Sequence, residues 1–209
     1  PPDAGCIHQY RLPVVGVDYN GDMNRALFLD RDGVIVENRT DYIRSWEDVL
    51  FLPGSLEALA KLTHASIKII IVTNQSVVGR GIISMETAEA IHHRILQTIE
   101  LAGGRVDDTF MCPHAPDEEC PCRKPKPGLF LQAAEKHNLD MMGSICIGDA
   151  LSDLQAAIAA GVGTRILVCA GRGKDQLKLP EMGRLPPFLV FSTLAQAIAH
   201  FPPGFLPSL

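Results

Sequence analysis

Asp30 and Asp32 stand one residue apart at the end of the apolar run Leu27-Phe28-Leu29, with Arg31 between them and Gly33 behind. Side chains alternate along a strand, so both carboxylates can face one substrate from a strand terminus. An apolar run that stops abruptly at acids reads as a buried parallel strand feeding the carboxyl edge of an α/β sheet, where such folds place their sites. Taken alone, Asp-x-Asp-Gly reads more simply as a charged turn after a core strand. Three further segments change that reading. Thr73 and Asn74 follow the β-branched run Ile67–Val72, Asp149 follows Ser144–Ile147 and Gly148, and Arg123-Lys124 precede a helical segment. Together these residues supply what phosphoryl transfer through an enzyme carboxylate requires: a nucleophile, an acid/base, a cation site and positive charge for the phosphoryl oxygens.

The elements that must position them alternate in type. Strands are expected at Leu27–Leu29, Ile67–Val72, Val106–Met111, Ser144–Ile147, Thr164–Cys169 and Phe188–Phe191. Helices are expected at Ser55–Leu62, from an N-cap at Ser84 to Leu101, and at Pro127–Asn138, Leu151–Ala160 and Thr193–His200. Alternation of this kind predicts an α/β fold, a doubly wound parallel sheet covered on both faces. Residues 34–50 lack a clear period and predict an irregular or hairpin element over the site, in which Tyr42 and Trp46 read as core-packing residues. Residues 171–187 read as a Gly/Pro-rich loop, and residues 1–24 as a loosely ordered leader before a single domain over 25–209.

The 209 residues, 46% of them hydrophobic, suffice for one full core. A net charge of −5 with no long basic run argues against a nucleic-acid-binding face. No apolar stretch approaches the roughly 20 residues that span a bilayer, and no charged-then-apolar leader opens the chain, so the expectation is a cytoplasmic protein away from membranes. No segment reads as an obligate interface, which makes a monomer the default. A Walker-type Gly-x4-Gly-Lys loop is missing, Gly161-Val-Gly163 lacks the later glycine of a dinucleotide fingerprint, and Gly33 falls too early for an EF-hand.

Three of the six cysteines, Cys112, Cys120 and Cys122, crowd into one segment with His114. Three thiolates and an imidazole at this spacing match a closed, tetrahedral, structural Zn²⁺ site over residues 112–122. An unmetallated loop with a Cys120/Cys122 redox pair is the alternative. Cys146 and Cys169 read as buried core thiols, Cys6 has no evident role, and His8, His64, His92, His93, His137 and His200 read as surface or helix-face residues.

Taken in order and spacing, Asp30/Asp32, Thr73, Lys124 and Asp149 resemble the four motifs of the haloacid dehalogenase superfamily of phosphohydrolases, over roughly residues 26–173. The resemblance implies the superfamily fold with a minimal cap. It implies that Asp30 attacks phosphorus and that Asp32 protonates the leaving oxygen and then activates water. It also implies a catalytic Mg²⁺ held by the Asp30 carboxylate, the Asp32 backbone carbonyl and Asp149, with Thr73 bonding a phosphoryl oxygen and Lys124 neutralising charge. Asp153 either orients the metal shell or favours its own helix N-terminus.

The Cys/His loop running into Cys122-Arg123-Lys124-Pro125 is similar to the branch that contains heptose bisphosphate phosphatases and histidinol-phosphate phosphatases. Thr73-Asn74-Gln75-Ser76 leading to Gly79-Arg80-Gly81, Lys126-Pro127-Gly128-Leu129 and Gly171-Arg172-Gly173 resemble the heptose enzymes, whereas the short gap between His114 and Cys120 resembles the histidinol-phosphate ones. The implied substrate is a small phosphorylated sugar, with Asn38, Arg39, Thr40 and Asp41 aligned with the sugar-contacting segment and Asn74, Gln75 and Ser76 beside it. Arg123 is the candidate for a second phosphate, because a planar guanidinium binds phosphate bidentately. Two other classes stay in view: a phosphomutase, which would need a larger cap, and a non-catalytic scaffold on the same fold.

Overall fold

The structure, a computed structural model, describes residues 24–201. The leader, Cys6 and His8 therefore lie outside the described residues, apart from Asn24. That residue is tied in, its backbone N–H donating to the Asn138 carbonyl at 3.0 Å.

Six parallel strands form one sheet in the order β3-β2-β1-β4-β5-β6. They are β1 (Ala26–Leu29), β2 (Lys68–Asn74), β3 (Asp108–Cys112), β4 (Ile145–Gly148), β5 (Thr164–Val168) and β6 (Leu189–Phe191). Helices α1 (Ser55–Ala60), α2 (Ser76–Gly79), α3 (Met85–Leu101), α4 (Gly128–His137), α5 (Leu151–Ala159) and α6 (Gly173–Gln176) lie between them, and α7 (Leu194–Ala199) follows β6. The chain builds outward from β1 through β2 to β3, then returns to the other side of β1 as β4. That reversal makes the β1/β4 boundary a topological switch point, the position at which open α/β sheets leave a crevice at their carboxyl ends.

Both faces of the sheet are buried, and alternation along β1 and β2 divides the core. Leu27, Leu29, Ile69 and Ile71 pack with Leu59 of α1, Ile95 of α3 and Ile198 of α7. Ala26, Phe28, Ile70 and Val72 face the other way, against Phe130 of α4 and the alanines of α5. The Phe28 and Phe130 rings meet at 4.8 Å between centroids. Truncating either to alanine would cost about 3–5 kcal/mol by lost burial and cavity formation.

Several boundaries differ from those read in the sequence. Strand β2 runs two residues further, because Thr73 and Asn74 keep pairing with Met111 and Cys112. Strand β3 starts later, at Asp108, and ends on Cys112 itself. Segment 171–187 contains α6 and a 3-10 turn at Pro180–Arg184, whose Met182 is buried in a satellite core with Leu154 and Leu167. Residues 34–50 are irregular, with one 3-10 turn at Trp46–Asp48. Trp46 packs on the core as expected and carries the Arg94 guanidinium 4.3 Å above its ring. Tyr42 does not join the core; it lines the site. Cys169 is half-buried and His92 is buried, both against expectation.

Candidate active site

Strands β1, β2 and β4 deliver Asp30, Thr73 and Asp149 to the same edge of the sheet, and α5 adds Asp153. Asp30, Asp149 and Asp153 are 6%, 0% and 1% exposed, and their carboxylate oxygens lie within 4.8 Å of one another. Three buried acids at this spacing repel unless positive charge separates them. Lys124 supplies part of it. Its Nζ lies 3.1 Å from Asp30 Oδ1 and 2.6 Å from Asp153 Oδ1, and donates to the Val72 carbonyl at 2.8 Å. Burial works against the ammonium, yet Asp153 and Asp30 hold its proton above the ordinary lysine range.

That charge is insufficient for the whole cluster. Burial, followed by Asp153, Asp149 and Asp32, pushes the Asp30 carboxyl up to about 7 despite Lys124. Burial raises Asp149 as well, against the pull of Arg172. A small divalent cation with all-oxygen coordination fits this site. Octahedral Mg²⁺ takes oxygens at about 2.1 Å, and a cluster of carboxylate oxygens this close needs little contraction to close on one ion.

Two glycines shape the pocket around Asp149. Gly33 has φ of +89°, and a Cβ there would fall 2.0 Å from Asp149 Oδ2. Gly171, at φ of +59°, would place its Cβ 2.4 Å from the same oxygen. The carboxylate is then clasped by Arg172, whose backbone N–H donates to Oδ2 at 2.8 Å and whose Nη2 donates to Oδ1 at 3.1 Å.

Asp32, at the other end of the loop, faces a different set of partners. Arg31 Nη2 lies 3.1 Å from both of its carboxylate oxygens, and Gln75 Nε2 donates to Oδ2 at 2.6 Å. Gln75 also donates to Thr73 Oγ1 at 2.9 Å and accepts from Arg31 Nη2 at 2.8 Å. Asn74 closes onto the Lys124 backbone, donating to its carbonyl and accepting from its N–H at 3.1 Å each.

These groups floor a cavity of about 590 Å³, whose walls include Asn38, Arg39, Thr40, Ser76, Arg80 and Arg123. Arg39 is paired with Asp41 at 3.3 Å, and Asp41 itself is not on the wall. Arg80 and Arg123 have no carboxylate partner among the described residues; Arg123 Nη1 donates to the His114 carbonyl at 3.2 Å.

Beside the cavity, Cys112, His114, Cys120 and Cys122 converge, their ligand atoms all within 4.8 Å of one another. Cys122 Sγ is 3.3 Å from the sulfurs of Cys112 and Cys120 and 3.4 Å from His114 Nδ1. These separations far exceed the roughly 2.05 Å of a disulfide. They come close to the ~3.7 Å edge of a tetrahedron drawn with Zn–S bonds of about 2.3 Å. The loop is bonded directly to the substrate side, since the Gln75 N–H donates to the Cys112 carbonyl at 2.7 Å and the Gly79 N–H to Pro113 at 2.8 Å.

Residues 20–161 match the haloacid dehalogenase-like hydrolase family. The chain belongs to that family. The D-glycero-β-D-manno-heptose-1,7-bisphosphate 7-phosphatase of Bordetella bronchiseptica is 41% identical over 164 residues, 77% of this chain and 91% of that protein. The enzyme of the same name from Pseudomonas putida is 40% identical over 176 residues, 84% of this chain and 98% of that one. The crystal structure of D,D-heptose 1,7-bisphosphate phosphatase from B. bronchiseptica, complexed with magnesium and phosphate, aligns with a TM-score of 0.78 at 39% identity, covering 84% of this chain and 96% of that chain.

In this haloacid dehalogenase-like hydrolase, Asp30, Asp32, Lys124, Asn38, Arg39, Thr40, Asn74, Gln75, Ser76 and Arg123 line one cavity. Thr73 lies behind Gln75, fully buried, and Asp149 is fully buried against Gly33 and Gly171 and held by Arg172. Asp153 caps α5, accepting from the Ala150 N–H at 3.0 Å, while also pairing with Lys124. Neither reading of the sequence had included that pairing. Arg172, Arg80 and Arg31 were missed as site residues. The signal for Arg172 was its place between Gly171 and Gly173, and for Arg31 its place between two site acids.

Proposed function

We propose that this protein is a Mg²⁺-dependent phosphatase that removes the C7 phosphate of D-glycero-D-manno-heptose 1,7-bisphosphate. The observation that carries the reading is the division of one cavity into a buried acid and lysine floor and a wall bearing two guanidiniums with no carboxylate partner among the described residues. A bisphosphate needs two anion sites, and this arrangement offers them. Histidinol phosphate would bring an ammonium toward Arg80 and Arg123, where like charges repel. The relatives named above, matched over nearly their whole length, support the same substrate.

Asp30 attacks phosphorus, the bond from phosphorus to the C7 oxygen breaks, and Asp32 gives its proton to the departing oxygen. Water then attacks the aspartyl-phosphate, its proton passes to Asp32, and Asp30 and inorganic phosphate separate. Lys124 neutralises charge on the phosphoryl group and keeps Asp30 usable beside a dianion. Thr73, whose oxygen already accepts from Gln75, keeps its own proton for a phosphoryl oxygen. Mg²⁺ at Asp30, the Asp32 carbonyl and Asp149 would stabilise the negative charge that builds on the transferring group. Zn²⁺ at Cys112, His114, Cys120 and Cys122 would be structural, fixing the chain that leads straight into Arg123 and Lys124.

The test is phosphate release in the presence of Mg²⁺ from heptose 1,7-bisphosphate, histidinol phosphate and other sugar phosphates, with Asp30→Asn as the blank. Strong preference for the bisphosphate is expected. Preference for histidinol phosphate would replace the substrate assignment, and release independent of Asp30 would sink the mechanism.

A further inference from the structure

We infer that Gln75 is a positioning residue: its single buried amide, anchored on Arg31 and braced against the Thr73 hydroxyl, aims the Asp32 carboxylate at the reacting phosphoryl group. The sequence reading placed Gln75 among the substrate contacts. The structure leaves its amide nitrogen no hydrogen for a substrate, because Asp32 Oδ2 at 2.6 Å and Thr73 Oγ1 at 2.9 Å take both. The amide oxygen accepts from Arg31 Nη2 at 2.8 Å. The opposite flip of the amide would set an oxygen against the Asp32 carboxylate and an N–H against a guanidinium, so the network admits one orientation.

Each link of this network is stiff where it has to be. Arg31 is 2% exposed and Gln75 is 6% exposed, and each is held by hydrogen bonds to the other and to Asp32. The Asp32 side chain is 20% exposed and needs an external hold to stay aimed. Its Oδ2 receives two donors and its Oδ1 one, which leaves Oδ1 the freer oxygen to exchange a proton with leaving group and water. Thr73, as an acceptor from Gln75, is oriented with its O–H free to donate. The backbone under this amide is tied to the Cys112 carbonyl at 2.7 Å, so the Cys/His loop sets the height of the clasp.

This inference rests on Asp32 as the acid/base, and the chemistry separates the two claims. A sugar alkoxide leaves poorly without a proton, whereas p-nitrophenolate leaves without one. Loosening Asp32 therefore slows the first step for the sugar and only the second step for the aryl ester. In Gln75→Met, kcat on heptose 1,7-bisphosphate should fall about 30–100-fold with KM within about 3-fold, part of the range that acid–base catalysis spans. On p-nitrophenyl phosphate the variant should release a burst of nitrophenolate approaching one equivalent, larger than that of the wild type. Adding Gln75→Met to Asp32→Ala should cost less than about 3-fold more on the aryl ester, because a residue acting through Asp32 has nothing left to act on.

A raised KM with unchanged kcat would make Gln75 a substrate contact and overturn the inference. Equal losses in both backgrounds without a burst would make it packing alone. Near-wild-type sugar phosphate turnover in Asp32→Ala would remove the acid/base reading underneath. Should Gln75→Met fail to fold, Gln75→Glu keeps the volume and the acceptor for Arg31 but turns a carboxylate oxygen toward Asp32. It should show at least the same loss of kcat, and wild-type kcat there would overturn the proposal.

Discussion

The floor and the wall of the cavity are both rich in charge, yet they are built in opposite ways. On the floor, Asp30, Lys124, Asp149 and Asp153 are each less than a tenth exposed, and each is held by another charged member of the set or by Arg172. On the wall, Arg80 is exposed and Arg123 half-buried, and neither meets a carboxylate among the described residues. Breaking one partner of a buried pair costs about 3–5 kcal/mol, because the other is left charged and dry. An exposed charge is worth about 0–1 kcal/mol to the fold. The floor is therefore a single unit that works or fails together, whereas the wall can be altered one residue at a time.

Gly33→Ala is the substitution that should break the floor most completely. The new Cβ would require a left-handed backbone and would overlap Asp149 Oδ2, which the Arg172 N–H and guanidinium hold in place. A shift of about 1 Å in a catalytic group costs on the order of 10²-fold, so kcat/KM should fall by at least about that factor. Steady-state kinetics at saturating Mg²⁺ checks it, and retention of wild-type turnover would show that Asp149 need not sit where it does. Removal of metal from the Cys/His loop should come next. Metal analysis should find one zinc per chain, and Cys122→Ser should lose it and unfold at lower temperature, by a few kcal/mol of the binding energy that structural zinc contributes. A zinc-free preparation whose melting is unchanged by a chelator would refute the site.

The wall should respond differently. Arg123→Met removes a guanidinium from the cavity but leaves Lys124 held by Asn74, Asp30 and Asp153. KM for the bisphosphate should rise about 10–100-fold, the worth of one charge-assisted contact at about 1.5–3 kcal/mol, while kcat stays within a few-fold. A monophosphorylated substrate should be affected less. Loss of kcat with KM unchanged would place Arg123 in the floor and erase the distinction.

The same division explains how much of the site was legible in the sequence. Asp30, Thr73 and Asp149 could be found because each ends an apolar run, and burial on both faces of a parallel strand leaves little else for such a run to mean. The Cys/His cluster was legible because three thiols and an imidazole crowded into one short segment have few other uses. The ties between side chains had no such signature. That Asp153 would cap its helix and pair with Lys124, or that Gln75 would join Arg31, Asp32 and Thr73, depends on β1, β2 and α5 meeting across the switch point. Helix α2 was missed because four residues carry no period, and its formation follows from the hydrogen bonds that the Cys/His loop offers it.

Behind the floor, His92 of α3 provides the smallest and most local test. Its ring is buried, Nε2 lies 3.1 Å from Thr109 Oγ1, and Nδ1 has no partner among the described residues. Burial first, then the nearby charge of Arg31 and of His93, pushes its pKa down from 6.5 to about 4, against a small upward pull from Asp32. A histidine kept neutral by the fold binds its proton more weakly when folded than when unfolded, so the unfolded chain takes up the proton first. The resulting stability is complete above the unfolded value and is lost as pH falls through about 6.5 toward about 4, by up to about 3 kcal/mol at the lower end. Denaturant melts at pH 7 and pH 5 should show a steeper loss for the wild type than for His92→Gln, whose side chain cannot titrate. Equal slopes would mean that His92 meets water in solution, and with it that the floor beside Arg31 is less closed than its burial implies.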